Sequence, residues 1–164
     1  MINSFDNYLK LGKAKRKTPD IEEAKSLLDK AESRLQYTKG RQINDKNSQF
    51  ILEDVYEAIR ESAQALMSVK GFKPYSHEAT ISFIKDFYKV DFSEQDLSKF
   101  DRFRQLRTNY VYKAAPVSSG DAEDALIFAS SFIDKVKHLL GKKSTNVLKE
   151  TFGTMKCQKP PVIN

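Results

Sequence analysis

The sequence predicts an all-α protein, an up-and-down antiparallel bundle of about five helices. Three observations carry this expectation. Apolar residues recur at three- and four-residue spacing in five successive stretches, capping residues, glycines and prolines punctuate those stretches at short intervals, and no run of alternating apolar residues marks a strand. Residues 1–17 read as a basic amino-terminal segment. Phe5, Tyr8, Leu9 and Leu11 suit a short helix lying on the body, and the basic run Lys13 to Lys17 follows. Thr18-Pro19-Asp20-Ile21-Glu22-Glu23 opens the first long helix, because threonine caps, proline is shaped for the first turn, and the acids favour the positive end of the helix dipole. Ile21, Ala24, Leu28, Ala31 and Leu35 carry it to Lys39-Gly40.

Asn47 and Ser48 offer caps for the second helix, whose inner face is Ile51, Leu52, Val55, Tyr56, Ile59, Ala63 and Leu66, and Gly71-Phe72-Lys73-Pro74 ends it. Ser76 caps a shorter third helix with Ile81, Phe83, Ile84, Phe87 and Tyr88 inward. Ser93-Glu94-Gln95-Asp96 resembles a capping box and opens the fourth helix, which stops before Pro116. Ser118-Ser119-Gly120-Asp121 starts the fifth, with Ala122, Leu126, Ala129, Ile133, Val136 and Leu140 as its stripe to Gly141. Residues 142–164 lose periodicity and end near Pro160-Pro161, so they read as a weakly ordered basic tail beyond a bundle of residues 18–141.

Composition narrows the function. The chain has 164 residues, 40% hydrophobic and 30% charged, which suits one soluble domain with a single core. No apolar run spans a bilayer and the amino terminus lacks a secretory pattern, so the sequence implies a cytoplasmic protein that does not engage membranes. A lone cysteine, Cys157, permits no internal disulfide. The net charge of +6 is unevenly spread. Lys10, Lys13, Lys15, Arg16 and Lys17 outnumber Asp6 at one end, Lys142, Lys143, Lys149, Lys156 and Lys159 outnumber Glu150 at the other, and the body between is slightly acidic. Such ends suit RNA or an acidic partner, or simply solvent.

Metal and nucleophile chemistry find little support. His77 and His138 stand far apart without ligands at metal spacing, so no metal or cofactor is expected, and the six glycines fall at helix stops rather than in a phosphate-binding loop. His77, beside the Ser76 cap, reads as a surface or capping residue, and His138 as solvated. The fourth helix holds the candidate site. Phe100, Phe103, Leu106, Tyr110 and Val111 share a broad arc, and Arg107 falls inside it. Burying an unpaired cation is costly, so Arg107 is paired with a carboxylate, lies at a subunit boundary, or awaits an anion such as phosphate. Lys99, Arg102, Arg104 and Arg107 interleave with Phe100, Phe103, Tyr110 and Tyr112, a composition suited to phosphates and unstacked bases. Lys99, Arg102 and Arg104 also fit a solvated face.

Three stretches together resemble the HEPN family (higher eukaryotes and prokaryotes nucleotide-binding): Tyr75-Ser76-His77-Glu78-Ala79-Thr80-Ile81 leading into Ser82-Phe83-Ile84, Phe100-Asp101-Arg102-Phe103-Arg104-Gln105-Leu106-Arg107, and Asp121-Ala122-Glu123-Asp124-Ala125. The likeness is to archaeal-type stand-alone members. It implies a bundle that dimerises and brings two copies of one motif into a cleft. Many members are metal-independent ribonucleases or toxins, often neutralised by a minimal nucleotidyltransferase. Their motif is an arginine, a polar residue and, after a short spacer, a histidine. Arg107 matches the arginine and Thr108 the polar place, but Tyr112 stands where the histidine would.

That departure bears on chemistry. Metal-free RNA cleavage needs a group to accept the 2′-hydroxyl proton, and tyrosine, with an ordinary pKa of about 10, is a poor base near neutrality. Arg107 and Tyr112 also lie about 140° apart on a regular helix, and so converge only at a distorted helix end or across a dimer. The tyrosine that is adenylylated in some members corresponds to Ala114. The expectation is therefore a homodimeric RNA- or nucleotide-binding protein of toxin–antitoxin type with weak or absent nuclease activity. Arg107, Thr108, Asn109 and Arg104 would hold phosphate, Arg107 and Tyr112 would stand in the catalytic places, and a minimal nucleotidyltransferase would be the partner. The alternatives are an active metal-independent endoribonuclease toxin using Arg107, Asn109 and Tyr112, and a purely structural dimerisation module.

Overall fold

The computed structural model describes the backbone of residues 2–153 and the side chains as far as Gly141. Within these residues the chain forms α1 (Phe5–Lys10), β1 (Ala14–Arg16), α2 (Ile21–Lys39), α3 (Ser48–Val69), β2 (Phe72–Pro74), α4 (His77–Phe87), α5 (Glu94–Lys113) and α6 (Ser119–Gly153). It is an all-α bundle with one small two-stranded sheet.

α3 is the axis of the bundle. It packs against α2, α4, α5, α6 and β2, and Leu52, Val55, Tyr56, Ile59, Ala63 and Leu66 are fully shielded. Its apolar residues line the sides that these elements cover, and its charged residues, Glu53, Asp54, Glu57, Arg60 and Glu61, keep to one arc of the helix. α2 runs antiparallel to it: the Ser68 hydroxyl near the end of α3 donates to the Asp20 carbonyl before α2 at 3.0 Å, while Arg34 late in α2 reaches Asp54 early in α3 at 2.9 Å. α5 also runs against α3, with Phe100 beside Tyr56 and Tyr110 beside Phe50.

The caps explain where the helices start. Asp20, rather than Thr18, caps α2 by accepting the Glu23 N–H at 2.8 Å. Ser76 caps α4, and Ser93 with Asp96 closes a reciprocal capping box on α5. Ser118 accepts the Asp121 N–H at 3.1 Å at the start of α6. Asn47 precedes α3 without a side-chain cap bond, and the Ser48 hydroxyl instead donates to the Val117 carbonyl at 2.6 Å, tying α3 to the start of α6.

Two features depart from the expectation. β1 pairs antiparallel with β2, Ala14 opposite Pro74 and Arg16 opposite Phe72, so part of the basic run is strand rather than free chain. The apolar side chains before it belong to the core, since Phe5 is buried edge-on against Phe72, Phe83 and Phe87. α6, expected to stop at Gly141, continues to Gly153. A lone glycine costs a helix interior only about 1 kcal/mol relative to alanine, too little to end a long helix. The remainder of the expected tail, residues 154–164, lies outside the described residues, as does Cys157. No helix among the described residues is long and apolar enough to cross a membrane.

Candidate functional site

Three elements meet around one polar seam. On α3, Glu53, Glu57, Arg60 and Gln64 recur at helical spacing and form a half-buried polar stripe. α4 brings His77 and Glu78 to it from its first turn, and α5 brings Arg104 and Arg107. The three guanidiniums are held very differently. Arg60 bonds Glu57 at 2.7 Å through Nε, and Arg104 bonds Asp101 at 2.7 Å and Glu78 at 2.8 Å. Arg104 is thus a half-buried bridge between α5 and α4 rather than part of a solvated face. Arg102 does lie outward, paired with Asp121 at the start of α6.

Arg107 has no such bonds. Its closest carboxylates are Glu53 at 3.6 Å and Glu57 at 3.8 Å, beyond hydrogen-bonding distance, and Glu57 is already engaged by Arg60. Its Nε is buried without a hydrogen-bond partner among the described residues. A buried donor left unpaired costs about 1–3 kcal/mol, more when charged, and Nη2 is held only at ion-pair distance by Glu53 and Glu57, so this guanidinium has donors to offer an incoming oxygen. Glu53 is the more exposed of its two neighbours and can turn to solvent when a competing anion arrives.

His77 is the residue that sequence reasoning misplaced. Its ring stacks on Tyr56 with centroids 5.5 Å apart, and its Nδ1 lies 2.6 Å from the Tyr56 hydroxyl. Tyr56 is fully buried; that burial, with Glu57 beside it, pushes its pKa far up, so it keeps its proton. The partner in place for that proton is His77 Nδ1. The imidazole therefore accepts at Nδ1 and carries its hydrogen on Nε2. Burial, then Arg60, lowers the His77 pKa, and Arg107 adds to that effect. Near neutrality His77 is an uncharged donor fixed by Tyr56.

A family model for the HEPN domain matches residues 24–139. The chain belongs to the HEPN family. A search of curated proteins returned no match. The matched HEPN region runs from α2 to α6 and includes every residue of the seam. α1 and β1 precede it, although they pack on α4 and β2 inside it.

Within this HEPN protein the sequence-expected residues do not all gather. α5 is continuous through Lys113, so Tyr112 points about 140° away from Arg107 and is 75% exposed. Thr108 and Asn109 are half-buried, about 100° and 200° round the helix from Arg107. Arg104 and Arg107 reach the seam, the first bonded at short distance by two carboxylates and the second not. Ala114, in the place of the adenylylated tyrosine, caps α5 in the left-handed region at φ 50°. His138 is exposed on α6. Among the described residues no group of three or more His, Cys, Asp and Glu side chains is arranged to hold a metal ion. The Tyr56–His77 pair left no local signal because its members are 21 positions apart on different helices.

Proposed function

We propose that this HEPN protein binds RNA or a nucleotide at the Arg107 seam and cleaves it weakly or not at all. The observation that carries the reading is the contrast among the three arginines: Arg60 and Arg104 are closed by short carboxylate bonds, and Arg107 is left with a buried, unpaired Nε. Its Nη2, held by Glu53 and Glu57 only at 3.6 and 3.8 Å, is the end a phosphate oxygen would engage. Weak cleavage follows from the position of Tyr112, a poor base that is exposed on another face of α5. The family supports a nucleotide-binding, ribonuclease-like role, and within it we assign the chain to the toxin–antitoxin type, homodimeric, with a minimal nucleotidyltransferase as partner.

An active nuclease remains the second reading, favoured by the exposure of Tyr112, which leaves it free to meet Arg107 of another copy. Incubating labelled mixed-sequence RNA with the protein in chelator separates the two. The expected outcome is retention of intact RNA by the parent and by Tyr112→Phe, with retention lost in Arg107→Ala. Cleavage that disappears in both variants would establish the nuclease instead.

A further inference from the structure

Beside the Arg107 seam lies a cleft of about 130 Å³ walled by Arg60, Gln64, Tyr75, Ser76, His77 and Thr80. It shares Arg60, Gln64 and His77 with the seam and adds Tyr75, Ser76 and Thr80. Tyr75 is 54% exposed, a large ring at the cleft wall, with Lys15 Nζ of β1 over one of its faces, 5.6 Å from the centroid, which leaves the other face for a base. His77 is fixed through Nδ1 by Tyr56, which leaves Nε2–H as its remaining donor. Ser76 is already occupied in capping the Ala79 N–H at 3.1 Å, so the cleft does not depend on a free helix end. Of the shared residues, Arg60 links the two most directly, since it lines this cleft and bonds Glu57, the carboxylate next to Arg107.

We infer that this cleft is a base subsite, holding one unpaired nucleobase of the RNA strand whose phosphate sits at Arg107. Tyr75 is the stacking surface, the neutral His77 Nε2–H donates to an acceptor on the base edge, and Gln64 offers both a donor and an acceptor. Every base has a face to stack and acceptors on its edge, so the subsite favours single strands over duplexes without demanding a sequence. It rests on the reading of Arg107 as the phosphate contact. It adds to that reading a reason for binding RNA rather than any polyanion.

The test uses the full chain and two single-stranded RNAs of equal length, one ordinary and one abasic throughout, with Tyr75→Ala, Tyr75→Phe and Arg107→Ala. Tyr75 is exposed, so its loss does not threaten the core. The expected result is that Tyr75→Ala binds the ordinary RNA about tenfold more weakly than the parent and the abasic RNA equally well. Tyr75→Phe, which keeps the ring, binds both as the parent does, and Arg107→Ala loses affinity for both. Equal binding of ordinary RNA by parent and Tyr75→Ala, with Arg107→Ala weakened, would overturn the subsite and leave the proposed function standing. Failure of the parent to bind either RNA would overturn both.

Discussion

At the scale of single residues, what distinguishes Arg107 from Arg60 and Arg104 is that its carboxylate neighbours stand at ion-pair rather than hydrogen-bonding distance. Glu53 lies close enough to attract it and too far to bond it. A carboxylate in that position competes with an incoming phosphate, so Glu53→Gln should strengthen RNA binding by a few-fold, measured by fluorescence anisotropy at moderate salt; an unchanged or weaker affinity would count against Arg107 as the contact. His77 gives a second prediction, on stability. Its folded pKa is lowered from the ordinary 6.5, so the unfolded chain binds the proton more readily. Stability from the neutral imidazole is full above about 6.5 and falls as pH drops through the window beneath it. Glu23 and Asp96, whose carboxyls are held low, lose theirs only at more acidic pH. Urea denaturation between pH 7 and 5 should show this decline, and His77→Gln should flatten it.

Among elements, the helices were legible and the sheet was not. Apolar spacing found α2 to α6, although not the end of α6, and Ser76, Ser93 and Ser118 announced their helix starts, because these signals act within a few residues. β1 and β2 have three residues each, too short for alternation to register, and they pair across nearly sixty positions. Gly71 is where that pairing becomes visible. Its φ is 75°, and a Cβ there would stand 2.6 Å from the Lys17 carbonyl, the residue that follows β1. Gly71→Ala should therefore destabilise by at least about 1–3 kcal/mol, read from urea denaturation midpoints. Ala114, in contrast, ends α5 at φ 50° with a side chain that this conformation disfavours. Ala114→Gly should stabilise by about 0.5–1 kcal/mol, with the gain offset in part by the freer unfolded chain.

For the whole molecule, one enclosed helix positions everything else. α3 gathers the core, and its Glu53-to-Gln64 stripe is the floor on which α4 and α5 place His77, Arg104 and Arg107. Arg107 could be singled out in the sequence because a cation inside an apolar arc is an anomaly on its own helix. Its neighbours could not, since Glu53, Glu57 and His77 come from elements whose packing no local pattern encodes. The placement of Tyr112 followed from helix geometry alone. The measurement that tests the account most directly is the salt dependence of single-stranded RNA affinity for the parent and Arg107→Ala. If Arg107 holds a phosphate, the variant binds more weakly and its slope of log affinity against log salt is shallower by about 0.7, the loss of one phosphate contact. Parallel slopes and equal affinities would contradict the account.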